Sequence, residues 1–113
     1  MNVQLTNGKV RNMFGPDDAP ASSVLTGSWI PKVGPYTTYQ AVVTGTGAVS
    51  ATVIIEMSND GINAVATPAG TITLSGTAPQ SDGFTTQAPW GYHRARITAL
   101  TGTGAAVQVW YGV

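Results

Sequence analysis

Residues 39–61 read YQAVVTGTGAVSATVIIEMSNDG, and this stretch decides the fold that we expect for the chain. From Val49 to Met57 every second side chain is apolar, and the side chains between them are mostly polar. A period of two is typical of a β-strand that buries one face. Because the glycines of TGTG at 44–47 tolerate positive φ angles, we expect residues 39–43 to fold back as the partner strand of a hairpin.

The end of the chain repeats this pattern. In residues 92–100, small and apolar side chains alternate with polar ones, and Arg94 and Arg96 lie on the polar face. The TGTGA at 101–105 then repeats, letter for letter, the TGTGA at 44–48. We expect a second hairpin here, and the repeat reflects either an old duplication or shared turn chemistry.

The remaining segments also indicate strands and turns. Short apolar runs bounded by Gly or Pro predict strands within 24–36, 62–67 and 71–75, while SNDG at 58–61 and most of 76–89 are typical of turns. Helix is not expected, because no window free of Gly and Pro shows the helical period with caps. We therefore predict an all-β fold, a two-sheet antiparallel β-sandwich that is jelly-roll-like or immunoglobulin-like, with a small barrel as the other option.

The first 23 residues differ from the predicted sandwich domain at 24–113. The FGPDDAP at 14–20 contains two prolines, which remove backbone donors and exclude helix. One interpretation is a loosely packed tail with one edge strand. The other is an extended N-terminal arm, 1–23, whose apolar side chains dock on a neighbouring subunit. These side chains are Val3, Leu5, Met13 and Phe14.

The chain carries very little charge. Its five basic and five acidic residues make up 9% of the sequence, against about 25% in a typical protein, and the formal net charge is zero. Nucleic-acid binding needs clustered Lys and Arg, which the sequence lacks, so no nucleic-acid partner is expected. No apolar run has the length of a membrane span, and the first residues do not resemble a secretory signal, so we expect folding in a reducing cytoplasm without a membrane partner. A nearly neutral surface favours a subunit that packs against other subunits.

No catalytic, cofactor-binding or metal-binding residue is expected. His93 is the single histidine, and no nucleophile motif accompanies it. The absence of cysteine excludes disulfides and thiolate metal sites, and NDG at 59–61 lacks the other ligands of a calcium loop. Nothing in the sequence indicates that Asp60 and Asp82 meet as an acid and base pair. The protein is therefore predicted not to be an enzyme.

Arg94 and Arg96 are the charged residues with the clearest binding potential. Both lie on one face of a predicted strand, so they could bind carboxylates of a partner. Alternatively they pair with Glu56 across the sheet, or they keep that face hydrated. Aromatic side chains left exposed on one rim would form a sugar-stacking platform or an oligomer contact.

A strand ending in SNDG at 58–61 is followed by GTITLSG at 70–76, DGF at 82–84 and APWGYHRARITAL at 88–100. With this succession of strands and turns, about residues 39–113 resemble small β-sandwich structural proteins of tailed bacteriophage particles. The resemblance implies a non-enzymatic virion component that is made in the host cytoplasm.

The same resemblance implies a capsid decoration, or cement, protein on the capsid exterior. Its partners would be the major capsid protein and further copies of itself. A trimer is the preferred oligomer, since capsid junctions often have local threefold symmetry. The alternative is a carbohydrate-binding or receptor-binding β-sandwich of a phage fibre or tail appendage.

Overall fold

The computed structural model describes residues 10–14, 20–32 and 34–112, and over this part of the chain it contains strands and no helix. All strand pairs are antiparallel, and hydrogen bonds join the strands into one seven-stranded sheet. The predicted all-β, antiparallel class is therefore confirmed. The strands are β1 (Val10–Asn12), β2 (Leu25–Thr26), β3 (Ile30–Pro31), β4 (Thr37–Ser58), β5 (Gly70–Thr77), β6 (Gln80–Thr86) and β7 (Tyr92–Gly112).

The two long strands β4 and β7 form the centre of the sheet. They pair along their whole lengths, from Thr38 opposite Gly112 to Ser58 opposite Tyr92. On the outer side of β4, β6 pairs with the first half of the strand and β5 with the second half. On the outer side of β7 lie β1, β2 and β3. The sheet is thus a long central pair with shorter strands on both sides.

The hairpin expected at 44–47 is wrong, because β4 continues through the TGTG segment. Gly45 and Gly47 do have positive φ angles, 152° and 71°, but they lie within an irregular part of the strand and not in a turn. Thr46 pairs with Thr103 of the second TGTG segment, and the register shifts on either side of Thr46. Positive-φ glycines suit a bulge as well as a turn. Whether these glycines form a bulge or a turn depends on the pairing with the second TGTG segment, and the local sequence does not reveal that pairing.

The sheet bends so that its two halves approach each other. A straight strand of the length of β4 would span roughly 70 Å, whereas the largest dimension of the protein is 38 Å. Tyr39, in the first half of β4, contacts His93, which pairs with Met57 in the second half. The apolar faces of both halves therefore share one core.

The core contains alternate side chains of both long strands. Val53 and Ile55 of β4 and Val107 and Val109 of β7 are completely buried. Each such side chain contributes roughly 1.5–3 kcal/mol relative to an exposed position. Ile72 and Leu74 of β5 complete this core from the outer side of β4.

Part of the predicted N-terminal arm belongs to the sheet edge. The Met13 amide donates to the Val109 carbonyl (2.9 Å), and Ala21 bridges to Val107. The Met13 side chain is only 2% exposed, and Phe14 packs against the core. Met13 therefore packs within its own chain and is not available to dock on a neighbouring subunit. Val3 and Leu5 lie outside the described residues.

Two further assignments differ from the sequence prediction. Residues 62–67, expected as a strand, belong to the loop 59–69, which two backbone bonds tie to β4: the Val65 amide donates to the Met57 carbonyl and the Ala69 amide to the Ile55 carbonyl. Residues 80–86, expected as turn, form β6. The polar composition of β6 resembles a turn because β6 is an edge strand, whose side chains are mostly solvated.

The strand pairing has approximate twofold symmetry about Thr46 and Thr103. The strands β5 and β6 flank β4, which precedes them in the chain, and β1 to β3 flank β7, which follows them. Each half of the chain thus supplies the outer strands for the long strand of the other half. A duplication of one unit around the repeated TGTGA would produce this exchange.

Candidate interaction surface

A cluster of three charged side chains lies on the outward face of the central strands. The pairing of β4 with β7 places Glu56 directly opposite Arg94. Arg94 Nε lies 2.7 Å from Glu56 Oε1, and Arg96 Nη1 lies 3.4 Å from Glu56 Oε2. The structure therefore shows that Arg94 and Arg96 pair with Glu56 across the sheet, which was one of the interpretations of these two arginines.

Trp29 holds Arg94 from the other side. The Arg94 guanidinium carbon is 4.2 Å from the centre of the Trp29 ring. A cation over an indole face gains about 0.5–1 kcal/mol at a partly exposed site. Arg94 is therefore fixed between Glu56 and Trp29, whereas the Arg96 side chain is 47% exposed and has only the longer contact. Donors of Arg96 remain directed to solvent.

Exposed apolar side chains border Arg96. Val24 and Leu25 are 56% and 37% exposed, although both belong to residue types that proteins usually bury. Pairing of β2 with β7 places Thr26 opposite Arg96. We call this region the Arg96 surface; it is an open groove of about 270 Å³ lined by Val24, Leu25, Thr26, Arg96, Ile97 and Thr98.

The Arg96 surface has the chemistry of a protein-binding site. Arginine is enriched in interface hot spots, where an apolar surround excludes water from its hydrogen bonds. A partner with a carboxylate beside an apolar side chain would match Arg96 together with Val24, since Leu25 pairs with the buried Ile97 and lies on the other face of the sheet. The groove offers no acid, base or nucleophile suited to catalysis.

The predicted interface residues fall in different places. Arg94 and Arg96 come together on the first half of β7, whereas Met13 lies beside its second half. The Phe14 ring lies close to Gly27, whose amide donates to the Ala95 carbonyl. Val24 and Leu25 were not predicted as surface residues, because a two-residue strand is too short for periodicity to show which side chains are buried. The apolar pair itself was the only available signal.

His93 lies in the core and has no access to a substrate. Its side chain is completely buried, and its Nδ1 is 2.8 Å from the hydroxyl oxygen of Tyr39. The ring also packs edge-on against Tyr111, with centroids 4.6 Å apart. Burial, with a smaller effect from the charge of Lys32, lowers the pKa of His93 to about 4. Burial also raises the pKa of Tyr39. Both groups are therefore neutral at pH 7.

Asp60 organises the loop after β4. Its carboxylate accepts hydrogen bonds from the backbone amides of Ile62 (2.9 Å) and Asn63 (2.8 Å) and from the Ser58 hydroxyl (2.7 Å). These bonds hold the pKa of Asp60 well below its usual range. The turn predicted at 58–61 is confirmed, and the carboxylate is occupied by the loop itself.

Within the described part of the chain, no group of three His, Cys, Asp or Glu side chains is placed to hold a metal ion. The same residues include no helix that is long and apolar enough to cross a membrane. No protein-family model, curated protein or solved structure matches this chain.

Proposed function

We propose that this chain is a non-enzymatic structural protein of a tailed-bacteriophage virion, and specifically a decoration protein that binds the major capsid protein on the capsid exterior. The observation that carries the proposal is the Arg96 surface, an exposed apolar patch beside an arginine with unused donors. The resemblance of residues 39–113 to phage structural proteins and the near absence of charge support it.

The proposed fold is a β-sandwich made by the two halves of the bent sheet. The contact of Tyr39 with His93 supports this arrangement, since the two side chains come from different halves. In such a sandwich the outward faces of both halves are available to partners.

Decoration would work by adding contact area across capsomer boundaries. Separation of two capsid subunits would then also expose the apolar contacts of the decoration protein. Many symmetric copies would convert a weak contact into strong stabilisation of the shell. The protein would act as a homo-oligomer, so that each copy contributes one Arg96 surface.

The first experiment is sedimentation of native particles, followed by mass spectrometry of the gradient fractions. A copy number close to that of the main shell protein is the result expected for decoration. A scarce chain would indicate a tail or fibre location, and a chain that stays at the top of the gradient would overturn the virion proposal.

The second experiment tests the Arg96 surface on particles stripped of this protein. We expect Arg96→Ala and Val24→Ser each to weaken rebinding by at least roughly tenfold, the effect of removing an interface hot spot. Arg96→Lys keeps the charge but loses the forked donor geometry, so an intermediate loss is expected. Gln87→Ala, an exposed change in the loop before β7, serves as the control. Equal rebinding of all four variants would remove the Arg96 surface from the interface.

The second candidate function is carbohydrate binding. Tyr36 is 62% exposed, and Trp110 lies on an outward face opposite Gln40, an uncharged arrangement suited to stacking on a neutral sugar. Binding on a glycan array that disappears with Tyr36→Ala or Trp110→Ala would favour this function. Absence of any array signal, together with abundance on particles, would favour decoration.

A further inference from the structure

The Glu56 carboxylate is shared unequally between two arginines. Its Oε1 lies 2.7 Å from Arg94 Nε, the length of a strong charge-assisted hydrogen bond. Its Oε2 lies 3.4 Å from Arg96 Nη1, which is longer than the roughly 2.7–3.2 Å typical of such bonds. The side chains of Glu56 and Arg94 are 12% and 22% exposed, whereas that of Arg96 is 47% exposed. Glu56 is therefore held mainly by Arg94, and its contact with Arg96 is weak.

The cluster as a whole carries one positive charge in excess. Two guanidinium groups share a single carboxylate, and within the described part of the chain no second acidic side chain forms an ion pair with either of them. Trp29 covers Arg94 from the other side, so the excess charge is accessible at Arg96. One further carboxylate would balance the cluster. A phosphate group, with a charge of about −1.5 to −2, would exceed this balance and would lie close to the negative Glu56.

The surroundings of Arg96 favour a carboxylate that belongs to a protein side chain. Strand pairing places Arg96 between the exposed Thr26 of β2 and the half-buried Ile54 of β4. Val24, which is 56% exposed, forms an apolar wall of the same groove. An apolar surround keeps water away from the hydrogen bonds of an interface arginine. The groove of about 270 Å³ is smaller than the roughly 300–1,000 Å³ of small-molecule pockets, so it suits single side chains.

We propose that Glu56 is an internal competitor at the Arg96 surface, and that one Asp or Glu side chain of a partner protein replaces it on Arg96. In the bound state Arg94 keeps Glu56, and Arg96 binds the partner carboxylate through two parallel N–H···O bonds. Release of Arg96 costs little, because ion pairs of exposed side chains contribute little to stability. The inference deepens the proposed function and rests on it only for the identification of the partner as the major capsid protein.

Loss of the competitor should strengthen binding. We expect Glu56→Gln to bind a partner carboxylate about two- to fivefold more tightly, the factor that corresponds to an exposed ion pair. A purely structural Glu56 predicts the opposite, because arginines that have lost their support would bind less well. Thr26→Glu places a second competitor opposite Arg96 and should weaken binding by a similar factor. This variant also tests the proposal if Glu56→Gln does not fold. Thr85→Glu is the matched control, since it adds the same charge at an exposed threonine of the edge strand β6.

The test is NMR of the arginine Nε–Hε signals in the purified full chain. The chain has three arginines, and Arg96→Lys assigns the signal of Arg96. The probe is the blocked dipeptide acetyl-Leu-Glu-amide, compared at equal ionic strength with the neutral acetyl-Leu-Gln-amide and with inorganic phosphate. We expect the Arg96 signal to shift with the Glu peptide, less with phosphate and not with the Gln peptide. The initial slope of this shift should be larger in E56Q, smaller in T26E and unchanged in T85E.

The competitor and the decoration role fail in different experiments. An Arg96 signal that ignores the Glu peptide, responds equally to all three probes, or responds no more strongly in E56Q would overturn the competitor, as would equal effects of T26E and T85E. The expected NMR result for a chain that is absent from particles would overturn the decoration role and leave the competitor standing. Abundance on particles, with rebinding that E56Q leaves unchanged or weakens, would do the reverse.

Discussion

The buried imidazole of His93 makes a quantitative prediction about stability and pH. An exposed histidine titrates near pH 6.5, whereas burial lowers the pKa of His93 to about 4 in the folded chain. The unfolded chain therefore binds a proton as the pH falls below 6.5, and the folded chain does not bind it until about pH 4. Stability is complete above pH 6.5 and falls as the pH decreases towards 4. One pKa unit corresponds to 1.36 kcal/mol, so the free energy of unfolding should fall by about 2 kcal/mol between pH 7 and pH 5.

Urea denaturation followed by tryptophan fluorescence measures this change. His93 is the single histidine of the chain, so the decrease between pH 7 and pH 5 can be assigned to it. His93→Gln keeps a hydrogen-bonding group beside Tyr39 but cannot titrate, and its stability should be nearly constant over this range. A wild-type stability that is equal at both pH values, or an equal decrease in His93→Gln, would refute a neutral, buried His93.

Three substitutions and two deletions test separate features. Glu56→Gln leaves two arginines without their carboxylate, and a loss of about 1–3 kcal/mol in urea denaturation is expected; a change within about 0.5 kcal/mol would show the cluster to be energetically neutral. Gly102→Ala should destabilise the protein more than Gly104→Ala. Both glycines have positive φ, which costs about 1–2 kcal/mol for alanine. Only at Gly102 would the added carbon also lie 2.8 Å from a side-chain carbon of β4. Equal melting temperatures of the two variants would contradict this packing. Deletion of residues 1–9 should preserve the cooperative unfolding transition. Deletion of residues 1–20 also removes Met13 and should lower the free energy of unfolding by about 2–5 kcal/mol. Because the longer deletion changes stability, only the shorter one tests whether the N-terminal arm contributes to particle binding.

The strand periodicity was predictable where it extended over many residues. Alternation in 49–57 and 92–97 identified the buried faces of both long strands, and it also placed Arg94 and Arg96 on one outward face. Ala99 continues the same pattern but is exposed, because the register shifts between Thr52 and Val53. The course of the chain at 44–47 was not predictable, since a turn and a bulge use the same glycines. That choice depends on pairing with 101–105, which is remote in sequence.

The candidate site was predictable only in part for a similar reason. The carboxylate of Glu56 could be matched to the arginines because opposite charges on neighbouring strands attract each other. The exposure of Val24 and Leu25 depends on where β2 lies along β7. Trp29 resembles a core residue by composition, and its position over Arg94 follows from the same alignment.

The exchange of outer strands between the two halves has a consequence for synthesis in the cell. All described partners of β4 are β5, β6 and β7, which leave the ribosome after it. At usual rates of translation the apolar face of β4 would wait on the order of seconds for its neighbours. Sheets assembled from remote segments also form slowly, on the scale of milliseconds to seconds. The fold can therefore be completed only after β7 has left the ribosome, and the yield should depend on chaperones that protect β4 during translation.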